Sequence, residues 1–300
     1  MNTLNGIAEA IDRLRLYFAP AETRQGILAR RALGEPARDD AALSSRLVTK
    51  MQAEIRPDGS VSGGVVATIW RAHELLDLQP GAGHPPGWTQ IMNWVLALQG
   101  RPGAFSQGCT PARHSYRSCE HFVSAFFSPG PPEQRIAPIM LPNGKVYRGE
   151  PAARFAISCM ALRAALRGDL QRKPIEQHLK SLLLLEEQWH DWSGYFAPDV
   201  IVAGIHTLAL APPPYRGILP QLGSMLATHQ AADGTWPKAD LYYTLETLVT
   251  LGTPETHESV RRAVPALLAR QRIDGGFGPT APQERSLIAL RALIWADTKG

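Results

Sequence analysis

Cysteine is scarce in this sequence, and so is anything that would carry the chain through a membrane. Three of the 300 residues are cysteines, Cys109, Cys119 and Cys159. The odd number, together with the polar opening Met1-Asn2-Thr3-Leu4-Asn5, points away from a disulfide-stapled secreted domain and toward a reduced cytoplasmic protein. Apolar runs stop after a few residues, as at Leu182 to Leu185, which excludes a membrane-spanning helix but leaves peripheral contact with a membrane surface compatible. Neither sign of charge dominates: 31 Lys and Arg face 27 Asp and Glu, for a net +4. The basic residues are scattered in ones and twos, so the polybasic stripe that tracks a phosphate backbone is missing and a nucleic-acid partner is not expected. Strand signals are weak throughout. What remains is a hydrophobic content of 44%, enough for one large core.

Self-similarity is the strongest positive signal. A turn dipeptide flanked by apolar helical patterns recurs at Asp58-Gly59, Pro102-Gly103, Asn143-Gly144, Ser193-Gly194, Asp233-Gly234 and Asp274-Gly275, with glycines 44, 41, 50, 40 and 41 residues apart. Six turns of this kind predict six helix-turn-helix units over 39–300, each with a Leu-rich first helix and a second helix richer in small and β-branched residues. In the fifth unit the helices are expected at Ile218 to Gln230 and Lys238 to Leu251, in the sixth at Glu255 to Gln271 and Gln283 to Ala296. Two further helices, Leu4 to Phe18 and Arg24 to Leu33, occupy the N-terminal 1–38 and are expected to pack outside a ring or over one mouth. The predicted fold is all-α: an (α/α)6 toroid, one domain over 1–300, with one helix of each pair inside and its partner outside.

The residues at the turns carry a resemblance. Gln230-Ala-Ala-Asp-Gly234-Thr-Trp236 has the form Gln-x3-Gly-x-Trp and resembles the QW repeat of squalene and oxidosqualene cyclases. Gln271-Arg-Ile-Asp-Gly275-Gly-Phe277-Gly is similar to the Asp-Gly-Gly-Phe-Gly version in prenyltransferase β subunits. Gln99 to Phe105 keeps the spacing, and Gln188 to Phe196 keeps it with two extra residues. In itself the motif is a stability device, a Gln amide bonding free groups at helix ends beneath an aromatic cover. The terpene cyclase and prenyltransferase resemblance implies an isoprenoid substrate in a central chamber. It also implies chemistry this sequence lacks in its usual form. The Asp-x-Asp-Asp motif of the cyclases is absent, the adjacent pair Asp39-Asp40 reading as the acidic start of a helix. The zinc ligands of the transferases fail too, since Asp240 is followed by Leu241 and Tyr242; no metal and no cofactor are expected.

Aligning second helices by their turns gives an independent reading. In the fifth unit an inward stripe would carry Asp240, Tyr243 or Thr244, and Thr247; in the fourth, Asp199, Ala203 and His206; in the second, His114, Ser118 and His121. Buried carboxylates and imidazoles in an apolar chamber must pair, bind a ligand or shift their pKa. A carboxyl group kept protonated there is a competent general acid, the role expected of Asp199 or Asp240, with His114, His121 or His206 orienting it. The plain alternative is that both aspartates cap helices and the histidines are core. Arg117, Arg154 and Arg285 are candidates to hold an anionic group bidentately, and Tyr116, Trp70, Phe126 and Phe155 to line the chamber and face a carbocation.

Three functions follow as expectations. The first is a terpene-cyclase-like enzyme that protonates and cyclises an isoprenoid. The second is a prenyltransferase-like enzyme acting on a prenyl diphosphate. The third is a noncatalytic ring for a lipid or peptide, or a sugar-active enzyme sharing only the barrel.

Overall fold

A computed structural model describes residues 3–81, 83–98, 136–186, 189, 192 and 197–298. Among them are twelve α-helices: α1 (Thr3–Phe18), α2 (Arg24–Ala32), α3 (Asp40–Ala53), α4 (Gly64–Leu78), α5 (Trp88–Ala97), α6 (Glu150–Arg167), α7 (Lys173–Glu186), α8 (Pro198–Leu208), α9 (Leu219–Thr228), α10 (Leu241–Leu251), α11 (Pro254–Leu268) and α12 (Pro282–Asp297). A two-stranded hairpin, β1 (Ile139–Met140) and β2 (Val146–Tyr147), stands between α5 and α6. The chain is thus predominantly helical, and none of the helices is long and apolar enough to cross a membrane among the described residues. It divides into two compact units. One comprises Met1–Leu47, Pro142–Lys145 and Gly217–Gly300, the other Val48–Leu141 and Val146–Arg216.

The two helix types expected from composition are present. First helices bury one stripe: in α11 it is Val260, Ala263, Val264 and Leu267, at helical spacing, behind a Thr253–Thr256 capping box and Pro254. Second helices are buried nearly all round: in α6 every residue from Ala153 to Ala165 is buried, and in α8 every residue but Asp199. A helix that is covered on all sides belongs to the interior of its unit.

Four of the six turns share one geometry; Pro102-Gly103 and Ser193-Gly194 lie outside the described residues. At Asp58, Asp233 and Asp274 the side-chain Oδ1 accepts from the backbone N–H two residues on, at 2.9, 2.9 and 3.0 Å, and Asn143 does the same at 3.1 Å. The following glycines, Gly59, Gly144, Gly234 and Gly275, all have positive φ, from 81° to 95°. Glycine is needed at three of them for a second reason. A Cβ on Gly59 would lie 2.4 Å from the Gln90 carbonyl on α5, one on Gly234 would lie 2.3 Å from the Arg262 carbonyl on α11, and one on Gly275 would lie 2.8 Å from the Arg13 carbonyl on α1. Each turn therefore seats its glycine against the backbone of the next first helix.

A glutamine fastens two of these seats. Gln230 Nε2 donates to the Gly234 carbonyl of its own turn (2.9 Å) and to the Ser259 carbonyl of α11 (2.8 Å). Gln271 Nε2 donates in the same way to Gly275 (3.0 Å) and to Ala10 of α1 (3.1 Å). Trp236, buried, closes the first latch with its indole N–H on the Leu226 carbonyl at 2.8 Å.

The last latch corrects the expectation for the N-terminus. Helices α1 and α2 are not an appendage; they form the pair that follows α11 and α12. Helix α1 packs on α11 and α12, and α2 packs on α12, repeating the relation of α11 and α12 to α9 and α10. Arg30 fixes the join by donating to the carbonyls of Phe18 (2.9 Å) and Ala21 (3.2 Å) and pairing with Asp40 at the start of α3. A second correction concerns the third turn, since Asn143-Gly144 joins β1 and β2, with Met140 opposite Val146, instead of two helices. Asn-Gly suits a tight hairpin as well as a helix connection, and the local signal alone does not separate them.

Substituting Gly234 by Ala is expected to cost about 2 kcal/mol or more in urea denaturation, from the left-handed backbone and the collision with Arg262. Gly217→Ala, at a site with open space and ordinary φ, is expected to be neutral or slightly stabilising.

Candidate functional site

A group of polar side chains in the second unit lies toward the C-terminal ends of α4, α6 and α8, with His73, Arg163 and His206 buried, Asp77 half-buried and Arg167 exposed. Arg163 and Arg167 are four residues apart on α6 and therefore share a face; His73 and Asp77 do so on α4. His73 Nε2 lies 3.0 Å from the Met160 carbonyl, which can only accept, so the proton sits on Nε2. Its Nδ1 then accepts from Arg167 Nη1 at 3.0 Å, and Arg167 Nη2 donates to Asp77 Oδ1 at 2.5 Å. Arg163 Nη1 donates to His206 Nδ1 on α8 at 3.2 Å, which fixes that ring as the Nε2–H tautomer.

Both imidazoles are thereby held neutral. Burial is the main cause that pushes their pKa values well below the ordinary 6.5, and the guanidinium groups of Arg163 and Arg167 add to it. With its lone pair directed at a guanidinium, His73 has no nitrogen left to act as a base. Cys159, one turn before Arg163, is fully buried, and its thiol is pushed up to about 12, so it is no nucleophile at neutral pH. Arg163 and Arg167 thus set guanidinium groups beside two neutral rings, and Asp77 answers Arg167. Helix C-termini favour this placement of cations.

The comparisons with known proteins bear on the fold alone. Over 95% of its length the chain is similar to a crystal structure of a protein from Actinoplanes, of which it covers 89%, at 17% identity and a TM-score of 0.53. Neither a family model nor a curated protein matches the sequence.

In the first unit the polar groups gather at the N-terminal ends of α10 and α12. Asp240 caps α10: its Oδ1 accepts from the Tyr243 amide at 3.0 Å, and its Oδ2 from Arg285 Nη2 at 3.1 Å. Arg285 also donates through Nε to the Asn143 carbonyl at 3.0 Å and lies 4.8 Å from the centre of the Tyr242 ring. Next to it on α12, Glu284 faces the other way, taking Arg24 at 2.9 and 3.3 Å and Gln25 at 3.0 Å from α2. Thr244 and Thr247, expected on the inward stripe, return their hydroxyl protons to the carbonyls of Asp240 and Tyr243 in their own helix.

The remaining expected residues are placed as follows. Asp199 stands half-buried in the first turn of α8, its backbone carbonyl accepting from the Tyr147 hydroxyl at 3.1 Å. His206 lies seven residues further along the same helix, roughly 10 Å by helical rise, so it does not orient Asp199 by a direct hydrogen bond. Tyr243 and Phe155 are buried, and Trp70 is half-buried with its ring 5.5 Å from that of His73. Arg154 is fully buried and donates to Glu150 at 2.7 Å. His114, His121, Arg117, Tyr116 and Phe126 lie outside the described residues. Among the described residues no three His, Cys, Asp or Glu side chains converge as metal ligands.

Sequence reasoning missed His73, Asp77, Arg163 and Arg167. The signal was there: two arginines one turn apart in the otherwise apolar run Met160-Ala-Leu-Arg163-Ala-Ala-Leu-Arg167. Because the unfolded chain takes up protons on its histidines below 6.5 while the folded one refuses them at His73, His178 and His206, stability is full above that pH and is lost as pH falls toward the depressed folded values. Urea denaturation is expected to show a loss of up to about 1.4 kcal/mol per pH unit for each such histidine between pH 6.5 and the onset of carboxylate titration. A stability that stays flat over that interval contradicts the assignment of neutral buried rings.

Proposed function

We propose that the chain is a terpene-cyclase-like enzyme acting on an isoprenoid, with six helix pairs, α1/α2 through α11/α12, closing as an (α/α)6 toroid around the substrate. The observation that carries this reading is the Gln271 latch to Ala10. It supports a stack that runs on from the last pair to the first, as a ring requires. The buried second helices would then line the chamber, and polar groups on them would meet the substrate.

Protonation-initiated cyclisation needs a carboxylic acid near an alkene or epoxide. In this reading Asp199 is the acid. Asp240 has each oxygen engaged by an N–H donor, one of them a guanidinium, which suits a capping and pairing role. With a panel of all-trans polyprenes as substrates, Asp199→Asn is expected to lower turnover by about 10³-fold in a protein that keeps its circular dichroism spectrum. Asp240→Ala is expected to cost about 1–2 kcal/mol of stability while turnover is kept. Full activity of the Asp199 variant overturns the acid assignment.

A second reading is favoured by the Arg163 and Arg167 group: a prenyl diphosphate whose departing anion is held by guanidinium groups. Release of inorganic diphosphate from farnesyl diphosphate, reduced about tenfold or more in Arg163→Gln, distinguishes it from cyclisation of a neutral chain.

A further inference from the structure

A groove in the second unit is unrelated to either constellation above. It encloses 610 Å³ between the end of α6, the start of α7 and the segment Pro212 to Tyr215. That size falls in the range of roughly 300–1,000 Å³ typical of small-molecule sites. Its wall is built by the way α6 stops. Asp169 takes the left-handed conformation (φ 49°), the Asp169 amide bonds Leu166 O at 3.1 Å and the Leu170 amide bonds Ala165 O at 3.0 Å, the pattern of a Schellman motif. That turn brings Leu170 back toward Leu166, and Ile175, Leu179, Pro212 and Tyr215 complete an apolar trough.

The rim is charged, and its two signs are not equivalent. Glu176 has an ammonium partner in Lys180 at 2.7 Å and a phenol donor in Tyr215, and Asp169 accepts from Gln171. Arg172 donates to the neutral amide oxygen of Asn93 at 3.2 Å and Lys173 stands beside it; with Glu176 answered by Lys180, these two cations face the one remaining carboxylate, Asp169, so the rim keeps a single net positive charge. An apolar trough under a cationic lip matches a ligand with a hydrocarbon body and an anionic head.

We propose that this groove binds a straight-chain amphipathic carboxylate, its chain on Leu166, Leu170 and Leu179 and its carboxylate at Arg172 and Lys173. Titration calorimetry of the full chain with decanoate, and with 1-decanol as the uncharged counterpart, tests it. Saturable binding is expected, with decanoate favoured over the alcohol by about tenfold. Lys173→Glu, an exposed change that leaves the fold alone, is expected to erase that preference. Leu170→Trp, which fills the trough, is expected to abolish binding of both at an unchanged circular dichroism spectrum. No saturable decanoate binding, equal affinity for the alcohol, or affinity untouched by Lys173→Glu overturns the proposal, whatever the outcome of the isoprenoid assays.

Discussion

A hydrogen atom where any other residue has a carbon allows the closest contacts between helix pairs. At Gly234 the turn presses on the Arg262 carbonyl, and at Gly275 on Arg13, at distances a Cβ would not permit. The rest of the first unit depends on that approach. Only with the turn so close can Gln230 and Gln271 reach a carbonyl in the neighbouring helix while still bonding their own turn. Only with the latch made do successive second helices pack side by side, α10 on α12 and α12 on α2. The repeat is therefore a backbone contact first and a side-chain motif second.

The same constraint explains where polar groups end up. Second helices with so little solvated face admit charge where a partner answers it, either from an adjacent helix or, as for Arg154 with Glu150, from the same one. In the first unit that happens at helix starts, through Glu284 with Arg24 and Arg285 with Asp240. In the second it happens at helix ends, where Arg163 and Arg167 donate to neutral imidazoles. Carboxylates near N-termini and cations near C-termini both follow the helix dipole, which makes these the places where an all-helical core tolerates ionisable groups.

How much of this could be read beforehand depends on range. The αL glycines, the Asx turns and the bounds of α9 to α12 were legible to within a few residues, because each is decided by neighbours along the chain. The role of α1 and α2 was not legible: Pro20-Ala-Glu-Thr23 joins them in place of an Asp-Gly turn, and their equivalence to the other pairs rests on Arg13 and Ala10 meeting residues some 260 positions away. Asn143-Gly144 misled because one local turn chemistry serves both hairpins and helix connections. Among candidate site residues, Asp240 was found by its place after a turn, whereas the His73 and Arg167 contact spans 94 positions and left only a periodicity of arginines as its trace.

The measurement that bears most directly on this account is amide hydrogen exchange across α11 and α12 in a chain that begins at Arg38. If the N-terminal pair is the next member of the stack, its loss strips the face on which α11 and α12 rest, and their protection collapses relative to the intact chain. Full retention of protection in those two helices would contradict it.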